Sequence, residues 1–93
     1  MVMSELKLPP TLLHAQANAC LAQWLVQLKT PGTGPVLLDA SALVEFDSSA
    51  LAVMLGLRRE VLAQGRSLQV MGMSPRLQEL ATLYGVQDLL PSS

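Results

Sequence analysis

The chain has 93 residues, 51% of them hydrophobic and 14% charged, and carries a net charge of −1. This composition excludes disorder and is long enough for one domain, expected over residues 1–93. The charge balance speaks against nucleic acid, because no basic run exists and Trp, Tyr and Phe occur once each.

Residues 2 to 8 read as one short strand, stopped by Pro9 and Pro10. Thr11 then reads as the cap of a helix that runs to about Lys29. In that helix Leu13, Ala17, Cys20, Leu21, Trp24 and Leu28 recur at three- and four-residue spacing and mark one apolar face. Lys29 suits the negative C-terminal end of the dipole. Thr30 to Pro35 is a loop. Its two glycines are followed by no Lys-Ser or Lys-Thr, so it is not a phosphate-binding loop.

Val36 to Asp39 reads as a strand that is apolar on both faces, as expected for a sheet covered on at least part of both sides. Leu43 to Phe46 is a short extended piece or a turn. Asp47-Ser48-Ser49 then opens an apolar helix that ends before Gly65, the expected C′ residue. Leu51, Met54, Leu55 and Leu62 form one stripe on it; Val53, Leu57 and Val61 form a second. Together they are wider than one buried side requires.

Ser67 to Gly72 is the next strand. Ser74 caps the last helix with Pro75 at its first position, and Leu77, Leu80, Ala81 and Tyr84 share a face. The alternation of strand and helix predicts an α/β domain with a mixed, mostly parallel sheet and flanking helices.

Several features of the chemistry bound the function. Cys20 is the single cysteine, so no intrachain disulfide forms and a reduced, cytoplasmic setting is expected. The first residues lack a secretory pattern, and no apolar run approaches the roughly 18 residues of a membrane span. His14, the single histidine, reads as a surface residue without companion metal ligands, and Cys20 as a small core residue. No nucleophile, base and orienter stand together, so neither an enzyme nor a cofactor is expected. The five methionines are mostly core; Met54, on the wide helix face, also suits a partner surface.

Asp47, Ser48 and Ser49 are the candidate working site. A helix N-terminus carries free N–H groups and a positive dipole end, which favour acceptors and anions. The same residues also suit simple capping.

Val-Leu-Leu-Asp-Ala-Ser at 36 to 41, Phe-Asp-Ser-Ser-Ala-Leu-Ala-Val-Met-Leu at 46 to 55, and Leu-Gln-Val-Met-Gly-Met-Ser-Pro at 68 to 75 resemble a STAS domain. The ending Leu-Ala-Thr-Leu-Tyr-Gly-Val-Gln-Asp-Leu-Leu-Pro, residues 80 to 91, resembles its MlaB-like branch, the small subunits of bacterial phospholipid-transport ABC systems. The resemblance implies a non-enzymatic regulatory or stabilising subunit. It would contact the ABC ATPase through Asp47, Ser48, Ser49, Leu51, Val53, Leu57, Arg58 and Val61, and reach the membrane only through that partner.

It also implies an alternative, an anti-anti-sigma factor that binds a sigma-regulating serine kinase. There Ser49 takes the place of the phosphorylated serine, while Ser48 takes that of the hydroxyl residue presented to the ATPase. A phosphate on Ser49 adds about −1.5 to −2 charges beside helix N–H groups, but Asp47 repels it. Two departures point away from the kinase switch. Ala50 stands where many such factors have Gly, and the Gly-Glu-Leu-Asp-like element before the first helix is replaced by Leu8-Pro-Pro-Thr-Leu-Leu.

Overall fold

The computed structural model describes residues 4–28 and 34–90. Strand and helix alternate: β1 (Ser4–Lys7), β2 (Thr11–Leu12), α1 (His14–Gln27), β3 (Val36–Asp39), β4 (Glu45–Phe46), α2 (Ser48–Ala63), β5 (Leu68–Met71) and α3 (Pro75–Leu83). A 3-10 turn, Gln87–Leu89, follows. The α/β architecture is as expected, and every strand pairing among the described residues is parallel.

β3 is the centre of a three-stranded sheet ordered β1-β3-β5, and β2 with β4 forms a separate two-stranded ladder. Side chains alternate across a strand. Leu6, Val36, Leu38, Leu68 and Val70 therefore enter the core together, while Glu5, Lys7 and Gln69 are exposed. Leu37 and Met71 are half-buried. Burial is thus complete on one face of this sheet, a narrower result than the apolar sequence of β3 suggests.

The start of the chain differs from the sequence reading. Thr11 does not cap α1. It pairs in β2 opposite Glu45, and Leu12 beside it is fully buried. Leu13 occupies the cap position, and Gln16 Oε1 accepts its backbone N–H at 2.9 Å. The Pro9-Pro10 break thus separates two strands, and α1 starts only after the second of them. Residues 2 and 3, Lys29 and residues 30–33 of the expected loop lie outside the described residues.

Helix α2 is the spine of the core. Ala50, Leu51, Val53, Met54, Leu57 and Val61 are all buried, because α1 packs against one side and the sheet against another. Leu21 of α1 lies directly over Gly56, where a β-carbon would come within 3.1 Å of its methyl. The helix ends as its sequence predicts. Gly65 takes φ +72°, its N–H reaches Leu62 O, and Arg66 N–H reaches Val61 O. This Schellman pattern satisfies carbonyls that a helix end leaves open.

Arg66 is the buried charged residue of the described core. Its Nε donates to Gly34 O at 2.8 Å and its Nη2 to Pro35 O at 3.5 Å. The side chain therefore ties the entry of β3 to the entry of β5. At α3, Ser74 Oγ accepts Leu77 N–H at 3.2 Å and Pro75 opens the first turn, both as expected.

Candidate functional site

The site is built where β4 runs into α2. Asp47 is extended (φ −127°, ψ −167°) and its carboxylate turns back over the helix start. Oδ1 accepts Ser49 N–H at 2.8 Å, an N-cap bond. Oδ2 accepts His14 N–H at 3.2 Å, so the same carboxylate also caps α1. The two helices begin side by side, and Asp47 joins them. Ser49 Oγ and His14 Nδ1 lie 3.4 Å apart across the junction.

The hydrogen bond from Ser49 N–H, helped by that from His14 N–H, holds the Asp47 carboxyl below its ordinary value. The sign of the pH effect follows. A depressed native value means stability present above the unfolded value, about 3.9, and lost as pH falls through the native one. Asp39 contributes in the same direction, through the Ser41 hydroxyl and N–H. Asp47→Asn keeps one acceptor but cannot accept from both helices. It is expected to lower the melting temperature at pH 7 by several degrees and to flatten the acid limb below about pH 4. Melting curves across that range check both; an unchanged acid limb would remove Asp47 from the account.

Ser48, beside Asp47, is exposed, whereas Ser49 is half-buried. Next to Ser48 a groove of about 340 Å3 runs between the start of α2 and α3. Phe46, Leu80, Leu83, Tyr84 and Arg76 line it with Ser48. The Arg76 guanidinium lies 5.2 Å from the centroid of the Phe46 ring, within cation–π range. Leu83 is 79% exposed and Tyr84 57%. The rest of the exposed α2 stripe is Ala52, Arg59 and Leu62, with Leu55 and Arg58 half-buried beside it.

Only part of the expected set reaches this surface. Asp47, Ser48 and Ser49 meet at the helix start, and Arg58 is half-buried further along. Leu51, Val53, Leu57 and Val61 do not belong to it. Each is at most 4% exposed and packs into the core, so none is available to a partner. The width of the apolar face was misleading because α2 is buried from two directions. Tyr84 also departs from its expected buried face.

His14, Arg76 and Leu83 were missed as site residues. The link from His14 to Asp47 spans 33 positions and has no local pattern. Leu83 carries a signal that was available: it is apolar and off the Leu77–Leu80–Ala81 face.

Burial pushes the Cys20 thiol up, which disfavours the reactive thiolate. No group of His, Cys, Asp and Glu among the described residues is arranged to hold a metal ion. No helix among them is long and apolar enough to cross a membrane.

A family model described as "Mlab, STAS domain" matches residues 4–91. The chain belongs to the STAS-domain family. The match spans both the strand–helix junction at Asp47 and the α3 ending. No curated protein matches the chain. As a STAS domain, the fold supports a binding or regulatory role, and the junction of β4 with α2 is the place where its exposed polar and apolar groups converge.

Proposed function

We propose that this STAS protein is a non-enzymatic subunit that docks on the ATPase of a phospholipid-transport ABC complex. The observation that carries the reading is the exposed Ser48 at the positive end of α2, set beside a groove with α3 in which Phe46, Leu80, Leu83 and Tyr84 alternate with Arg76 and Glu79. The Ser48 hydroxyl suits a polar group on a partner, and Leu83 and Tyr84 supply apolar area. Regulation would arise by differential binding: the subunit favours whichever ATPase conformation it grips more tightly.

The test uses exposed residues, which leave the fold intact. Ser48→Arg and Leu83→Asp are each expected to weaken co-purification with the ATPase, by roughly tenfold or more for a central contact. Unchanged binding in both, with unchanged melting temperature, would overturn the reading. The competing reading, a kinase-switched anti-anti-sigma factor, has less support. Ser49 is half-buried with its Oγ facing His14, and a phosphate there meets Asp47. Stoichiometric phosphate on Ser49 after incubation with a sigma-regulating kinase would reverse the order.

A further inference from the structure

The geometry points to a second surface, the edge of β1 that is unpaired among the described residues, as a site where two copies of this chain pair through antiparallel strands. β1 is an outer strand of the β1-β3-β5 sheet. Its register is Lys7 opposite Asp39, and Leu8 N–H donates to Asp39 O at 2.9 Å. In a parallel ladder that bond assigns the inward backbone groups to Leu6 and Leu8. Glu5 and Lys7 therefore turn their N–H and C=O groups outward, where β3 cannot use them. A groove of about 600 Å3 runs along this edge under α1, lined by Lys7, Thr11, Gln16, Gln23, Trp24 and Gln27 among others.

Charge order selects the occupant. With a two-fold axis at Leu6, antiparallel pairing sets Glu5 opposite the partner's Lys7, and Lys7 opposite the partner's Glu5. These are also the residues whose backbone groups face outward, so each pair exchanges two N–H···O bonds. Both side chains are exposed and stand on the same side of the sheet. Opposite charges directly across a pair stabilise it, and like charges oppose it. Moving the axis to residue 5 or residue 7 sets Glu against Glu or Lys against Lys. Among the described residues the edge spans Ser4–Lys7 and meets Pro9 after Leu8, which breaks the row of backbone donors that open-ended stacking would need. It suits one closed pair, as two-fold symmetry requires. Gln16 and Gln23 of α1 line the groove beside this edge. None of these residues lines the α2–α3 groove, so pairing and ATPase docking are separable.

Sedimentation equilibrium of the intact chain, from micromolar to near-millimolar concentration, is the experiment. Wild type is expected to show a reversible monomer–dimer equilibrium. Glu5→Lys alone and Lys7→Glu alone each place like charges across both pairs, and each is expected to weaken the dimer about tenfold or more. The double variant Glu5→Lys/Lys7→Glu restores it. An equimolar mixture of the two single variants forms a mixed dimer. Lys7→Pro removes one outward N–H, leaves the β1–β3 ladder its bonds, and is expected to abolish pairing. Melting curves verify that each variant is folded. Monomer at every concentration, or a dimer indifferent to charge order, would overturn the proposal.

Discussion

Leu57→Ala is expected to cost about 2–5 kcal/mol, the range for emptying a buried leucine site. Domains of this size hold only about 5–15 kcal/mol in total. The side chain is fully buried on α2, between α1 and the sheet, and its neighbours belong to separate elements that cannot all collapse inward. Urea unfolding is the measurement: the midpoint should fall sharply while the slope stays constant. Leu57→Asp goes further, burying a carboxylate with no partner, and should yield no folded protein. Loss of partner binding in that variant would therefore report unfolding and say nothing of the docking surface. A loss below about 1 kcal/mol for Leu57→Ala would contradict the placement of α2 in the core.

The second large effect is expected at Gly72. It follows β5 with φ +71°, a conformation costly for any residue with a β-carbon. An added Cβ would sit 2.9 Å from Ser41 Cβ and 3.1 Å from Ser41 N. Ser41 cannot readily retreat. Its N–H is held by Asp39 Oδ1 at 2.9 Å, and Ala40 N–H is held by Met71 O at 2.7 Å. Gly72→Ala should therefore cost about 2 kcal/mol or more, combining backbone strain with overpacking. It should also loosen the Asp39–Ser41 turn. Since the Ser41 hydroxyl and N–H hold Asp39 below its ordinary value, the Asp39 carboxyl should titrate at higher pH in the variant. Carboxyl-detected NMR would see the change; an unaltered Asp39 titration would show that the two loops are independent.

Much of the fold was legible in local sequence. Val36–Asp39 and the bounds of α2 follow from a short apolar run, a capping aspartate and a terminal glycine, all of which act within a few residues. Ser74-Pro75 marked α3 for the same reason. The errors share a different cause. Thr11 has the chemistry of a cap, yet a parallel strand 34 positions away claims its backbone. The two apolar stripes on α2 were correctly seen, but periodicity does not say what covers each stripe. Here the core takes Val53, Leu57 and Val61 together with Leu51 and Met54, and the proposed docking surface shrinks to Ser48, Ala52 and the residues that follow at helical spacing, Leu55 and Leu62 among them. The start of α2 was singled out as the candidate site; its coupling to His14 depends on tertiary placement and has no sequence signature.

The double duty of Asp47 ties the two helices at their origins, but α2 carries the heavier constraint. Its residues Ala50, Leu51, Val53, Met54, Leu57 and Val61 are already committed to holding the domain together. Adaptation of the surface is therefore confined to a thin line on α2 and to the outer side of α3, where Leu83 and Tyr84 hold no core in place. In such an arrangement the long helix preserves the architecture, and the short one is where recognition has room to diverge.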